Sequence, residues 1–187
     1  MMSDQNLSTS QRWIWFLGIV VFCVAVDQAS KVYAVQNWKG QPPVSYLNDF
    51  FRVEYAENHG AFLSLLSNFP KAVQFWVLQV ANGVVLLGLG TWLLRAKEMH
   101  WIPFLPLTMV VGGGIGNLID RVRFGYVIDY FNIGIGELRT GIFNVADMAI
   151  TAGFFLMLPL IIWGDAPKSG ASQGAPAEAS GVQNPAS

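Results

Sequence analysis

Two aspartates, Asp129 in VIDYF and Asp147 in FNVAD, have no basic residue three or four positions away to neutralise them. Two carboxyl groups held about 3 Å apart cannot both ionise, so one keeps a proton while its partner takes one from water. Such a pair titrates as a unit and supplies the acid and the base that peptide hydrolysis needs. The same residue types also serve as helix caps or solvated interfacial groups, and spacing alone leaves these alternatives open. Asp27 and Lys31 differ, because at i,i+4 with the acid first they share one helix face. They form either a self-neutralising buried ion pair or part of a binding site. Ser30 precedes Lys31, but neighbouring helical residues point about 100° apart, which removes a serine–lysine nucleophile pair. Metal chemistry has little support. The only histidines are His59 and His100, no HExxH occurs, and Cys23 stands alone inside an apolar run as a small core residue. Asn58, Asn117 and Asn144 would be costly near hydrocarbon unless hydrogen-bonded. Each can position a substrate, a carboxylate or a neighbouring helix.

The elements that must carry these groups follow from composition. Of 187 residues 53% are hydrophobic and only 12% charged, about half the share usual in soluble domains. The net charge of −1 points to neither nucleic acid nor a polybasic membrane-surface module. Four segments approach the roughly 20 apolar residues needed to span about 30 Å of hydrocarbon: about 13–35, 72–94, 101–119 and 145–163. The predicted fold is therefore an all-α membrane protein with four transmembrane helices, a single domain over residues 1–163. Trp13, Trp15, Trp92, Trp101 and Trp163 lie at or near span ends, where amphipathic rings favour the headgroup zone. No small-residue cleavage site follows the first apolar run, so it reads as a retained span. Gly112–Gly116 (GGGIG) has no preceding strand and no following Gly-Lys-Ser/Thr, and is expected to let helices approach closely.

Two inserts, about 36–71 and 120–144, fall on one side of the membrane because two spans separate them. In the first, YLNDFFRVEY reads as short strands around an Asn48-Asp49 turn, a small β-containing insert. The Ala-, Gly-, Ser- and Pro-rich tail 164–187 is expected to be disordered, on the side of both termini. The ionisable residues Asp27, Lys31, Asp120, Arg121, Asp129 and Asp147 all gather at the insert-bearing interface, where such groups are functional candidates. Lys and Arg are more frequent beside the inserts (Lys31, Lys39, Arg52, Lys71, Arg121, Arg123 and Arg139) than on the side of the termini (Arg12, Arg95, Lys97 and Lys168). Positive-inside bias alone would put those inserts in the cytoplasm.

DQASK, ENHGAF, GGGIGNLIDR, YVIDYFN and FNVAD, in this order over about residues 13–163, resemble the lipoprotein signal peptidase (signal peptidase II) family. The resemblance implies a membrane aspartic endopeptidase, the target of globomycin. It would remove the signal peptide from prolipoproteins just before the diacylglyceryl-modified cysteine, without cofactor or metal. It places the catalytic pair on Asp129 and Asp147. Substrate-binding and supporting residues would be Asp27, Lys31, Asn58, Gly60, Asn117, Arg121 and Asn144. It further implies a monomer in the bacterial inner membrane, with a periplasmic active site, cytoplasmic termini, and membrane lipid and prolipoprotein as partners, overriding the cation bias. Two positions depart from the family pattern: ENHGAF reaches Phe62 one position early, and Tyr130 stands where Phe is common. Both bear on pocket shape rather than on the chemistry.

Overall fold

In a computed structural model that describes residues 6–59, 69–96 and 99–163, four helices are long and apolar enough to cross a membrane. They run Thr9–Asn37, Lys71–Arg95, Trp101–Phe124 and Val145–Ile162, the last ending as a helix at Trp163. Large apolar side chains such as Ile14, Val84, Leu87 and Phe155 stand exposed on their outer faces, as lipid-facing residues do. The third helix is the centre of the bundle, with half of its most apolar window buried against 11% for the first and fourth.

Local chemistry fixes the helix ends. Ser8 and Gln11 form a reciprocal capping box at the start of the first helix. His100 caps the third through Nδ1, which accepts from the Ile102 N–H at 3.3 Å. Gly125 ends that helix at φ 79°, the left-handed conformation glycine adopts without a Cβ penalty. The third helix thus runs five residues beyond the predicted end at Ile119, so Asp120 and Arg121 belong to its last turns rather than to the insert. The second helix contains a π-helical stretch, Phe75–Ala81, that composition did not signal.

The GGGIG glycines separate the third helix from three different neighbours. A Cβ on Gly112 would meet Cys23 of the first helix at 2.8 Å, one on Gly113 the Ala146 carbonyl of the fourth, and one on Gly114 the Leu86 side chain of the second. On Gly116 it would stand 2.6 Å from the Asp27 carboxylate, so only glycine lets that acid lie against the third helix.

Above the helices sits one four-stranded antiparallel sheet, β1 (Val44–Tyr46), β2 (Phe51–Asn58), β3 (Val127–Ile135) and β4 (Leu138–Arg139), in that order. Both inserts build it, whereas only the first carried a recognisable strand pattern. VIDYFNIGI hides its strand nature because Val127 to Tyr130 are buried on both faces, which erases the alternation that marks a half-exposed strand. The β1–β2 turn holds Leu47, Asn48 and Asp49 at positive φ, as the Asn48-Asp49 signal suggested. A bulge in β2 between Val53 and Ala56 sets two residues, Glu54 and Tyr55, against one on β3.

Candidate active site

Lys31 lies at the heart of the insert-side end of the bundle. Its ammonium is 2.9 Å from Asp27 Oδ2, 2.9 Å from Asp120 Oδ2 and 3.0 Å from Asn117 Oδ1. Three N–H donors meet three acceptors, so the cation is saturated. Asp27, Lys31 and Asp120 are 0%, 2% and 1% exposed, a depth at which ions persist only when paired and hydrogen-bonded. The two carboxylates reach further: Asp27 Oδ1 accepts from the Ala146 N–H at 2.9 Å, and Asp120 Oδ2 from the Ile128 N–H at 3.1 Å. Gln28 Nε2 donates to both acids, at 3.1 Å and 2.9 Å. One cluster therefore pins the first and third helices to the start of the fourth and to β3.

Asn117, one helical turn from Asp120, turns away from this cluster toward the second pair of acids. Its Oδ1 also accepts from Asn144 Nδ2 at 3.1 Å, and its Nδ2 donates to Asp147 Oδ1 at 2.8 Å. Asn144 caps the fourth helix. Its Oδ1 accepts from the Asp147 N–H at 2.9 Å, and its own N–H donates to Asp147 Oδ2 at 3.2 Å. FNVAD is thus a capping box with Asn and Asp in the usual Ser/Thr and Glu/Gln places. The Asn144 side-chain amide donates to Asp129 Oδ1 at 2.7 Å, so one residue donates to both carboxyls, through its side chain to Asp129 and through its backbone to Asp147. Asn58 Nδ2 donates to Asp129 Oδ2 at 2.9 Å. The β2 bulge makes this possible: by restoring pairing at Ala56–Asp129 and Asn58–Val127, it puts Asn58 on the sheet face that carries Asp129.

All four oxygens of Asp129 and Asp147 accept from amide N–H groups, and neither acid forms an ion pair among the described residues. The Asp129 carboxyl is pushed up to about 7, first by burial and then by the charge of Asp147, against the lowering effect of the Asn58 and Asn144 hydrogen bonds. A carboxyl that titrates near neutrality beside a second carboxylate can hold, give up and regain one proton.

Seven of the nine predicted site residues thus form one hydrogen-bonded network: Asp27, Lys31, Asn117, Asn144, Asp129 and Asp147, with Asn58 joined through Asp129. Arg121 lies at its margin, within electrostatic reach of Asp147, Asp129 and Asp120, and its buried Nε has no hydrogen-bond partner among the described residues. Gly60 lies outside the described residues. The Asp27–Lys31 pair forms, but it is not self-sufficient, because Asp120 is an equal partner of the cation. The sequence puts Asp120 at the insert-bearing interface but names no partner for it; its position one turn after Asn117 is the available signal. Gln28 gave none. Tyr130, the departure from the usual Phe, is fully buried and donates its hydroxyl to Ser30 Oγ at 2.6 Å, fastening β3 to the first helix.

A family model described as Signal peptidase (SPase) II matches residues 19–163. The chain is 31% identical over 140 residues to the lipoprotein signal peptidase of Clostridioides difficile (strain 630), covering 74% of this chain and 88% of that protein. It is 35% identical over 147 residues to the lipoprotein signal peptidase of Shewanella woodyi (strain ATCC 51908 / MS32), covering 79% and 81%. A solved bacterial membrane enzyme shares the fold at a TM-score of 0.69 and 20% identity, over 94% of this chain and all of the other. The four spans, the sheet and the ordered polar motifs are those of a multi-pass membrane peptidase, and the chain belongs to the signal peptidase II family.

Proposed function

We propose that the chain removes the signal peptide from prolipoproteins just before the diacylglyceryl-modified cysteine, with Asp129 and Asp147 as the catalytic pair. The observation that carries this reading is that Asn144 donates to both carboxyls, from its side-chain amide to Asp129 and from its backbone N–H to Asp147, while among the described residues neutral amides alone hold their oxygens. One acid then takes a proton from water as it attacks the scissile carbonyl, and the other gives its proton to the carbonyl oxygen, leaving a gem-diol. As the C–N bond breaks, the first acid passes the proton it took from water to the leaving amine, and the second recovers one from a gem-diol hydroxyl. Asp129, the acid held near neutrality on β3, starts as the proton donor, and Asp147, at the N-terminal end of a helix, starts as the base. The Arg121 guanidinium, whose buried Nε has no partner among the described residues, stands ready to hold the substrate carbonyl and stabilise its negative charge. Asn117 and Asn144 position both acids, and Asp27, Lys31 and Asp120 hold the helices that carry them.

A substrate of one helix and attached acyl chains reaches this site sideways through the bilayer, since the network lies where the spans meet the sheet. The reaction takes place at the periplasmic face of the bacterial inner membrane, with both termini cytoplasmic, a reading supported by membership of the signal peptidase II family. The test is cleavage of a purified, lipidated prolipoprotein by the wild-type protein, Asp129→Asn and Asp147→Asn, each with and without chelator. Loss of cleavage in both variants, with chelator inert, is the expected result. Retained cleavage in either variant, or loss on chelation of the wild type, overturns the assignment.

A further inference from the structure

The sheet has two chemically different faces, set by its register. Tyr46 pairs with Phe51, Phe51 with Ile133, and Ile135 with Leu138, and paired residues share a face. Ile133 and Ile135 lie an even number of positions from Asp129 on β3, so this apolar face is also the one that carries the candidate catalytic acid. The opposite face carries Ser45, Arg52, Asn132 and Arg139. There Asp49 accepts from Arg52 Nε and from Ser45 Oγ, both at 2.6 Å, Arg139 donates to the Asp49 carbonyl at 2.8 Å, and Arg139 Nε donates to Asn132.

At the Asp129 end the apolar face is covered by the bundle. At the far end it is not. The β1–β2 and β3–β4 turns lie side by side there, joined by the Gly134 N–H donating to the Phe50 carbonyl at 2.9 Å. Leu138 is 84% exposed, Ile135 76%, Leu47 74% and Tyr46 51%. A contiguous apolar patch of this kind on a small sheet marks an interaction surface.

The geometry points to the bilayer as its partner: we propose that the tip formed by Leu47, Ile135 and Leu138 dips into the acyl–headgroup boundary of the leaflet that surrounds the insert-side ends of the spans. The surface is continuous with the membrane-crossing part of the chain, because β3 follows the third helix after two residues and its acid is bonded to the cap of the fourth. A sheet tethered at the interface, with one ionic and one apolar face, lowers its free energy by turning the apolar face to lipid and the ionic face to water. The sheet thereby becomes a second anchor, fixing how deep β3 holds Asp129. This reading needs only that the chain spans the membrane, and it stands or falls apart from the peptidase assignment.

Spin labelling in nanodiscs holding one copy per disc tests it without any substrate. With Cys23→Ala removing the sole native cysteine, nitroxides are placed by Ile135→Cys and Leu138→Cys on the apolar face and by Ser45→Cys on the ionic face. The expected result is an inversion of collision accessibility: oxygen, which concentrates in lipid, dominates at 135 and 138, and a water-soluble nickel chelate dominates at 45. Circular dichroism and the Ser45→Cys spectrum check that each labelled protein is folded. Nickel-dominated relaxation at all three sites overturns the proposal. So does shielding of 135 and 138 from both reagents, which would show that protein rather than lipid covers the tip.

Discussion

Two clusters of carboxylates are bridged by the side chain of Asn117, and they differ in what holds them. Asp27 and Asp120 share the ammonium of Lys31, with the remaining contacts made by a glutamine and backbone N–H groups. Asp129 and Asp147 share only amides. A shared cation 2.9 Å from each carboxylate ties the first and third helices together, so the first pair serves as a strut. Amide donors orient a carboxylate without neutralising it, which suits the second pair to the proposed acid–base role. Asn117 joins the two, accepting from Lys31 and donating to Asp147, and lets the strut set the position of the proposed catalytic pair without passing it a full charge.

The largest difference should appear in turnover. Asp129→Asn or Asp147→Asn is expected to lower the cleavage rate about 10³-fold or more, the scale of lost general acid–base catalysis. Asp120→Asn, one turn away, is expected to change rate far less while lowering stability; equal rate losses would erase the distinction between strut and reaction centre. Next comes Lys31→Met. It leaves two buried acids uncompensated and should cost about 3–5 kcal/mol, read from unfolding in mixed micelles of increasing SDS fraction. Gly116→Ala attacks the strut sterically, since its Cβ would lie 2.6 Å from Asp27 Oδ2. A loss of about 1–3 kcal/mol is expected, with the pH profile of cleavage unchanged.

The smallest effect is also the sharpest on coupling. Asp129 titrates near 7, above its ordinary value, so it holds its proton below that pH and loses it above, and cleavage should decline as pH rises through 7. In Asp147→Asn the neighbouring charge is gone but burial remains. The Asp129 midpoint should therefore move down while staying above the usual carboxylate range, as read from the 13C carboxyl resonance. A midpoint that stays fixed would show that the two acids do not sense each other.

Much of the site was legible because several of its parts are local. Asp27 and Lys31 declare themselves by helical spacing, and the polar residues clustered at one end of four spans were candidates on cost alone. FNVAD carried a hidden signal as well, because Asn-x-x-Asp before an apolar run is a capping box in unfamiliar residues. The strand β3 was not legible, since a strand buried on both faces loses its alternation. Nor was Asp120 as the second partner of Lys31: that contact joins residues 89 positions apart, and its existence depends on how closely the first and third helices approach. The glycine at 116 permits that approach, but the sequence does not say which helix it faces.

What the sequence alone determined is the part governed by transfer of side chains between water and hydrocarbon: four spans, their approximate ends, and the gathering of ionisable groups at one interface. Those preferences sum along the chain and need no partner. Only the tertiary structure decided which acids share a cation and which, among the described residues, are held by amides alone. That choice rests on contacts of about 3 Å between helices and strands distant in sequence, and on one extra residue in β2 that brings Asn58 onto the face of Asp129. A shift of a single residue there would leave the composition and the spans unchanged and would turn the amide away from the acid.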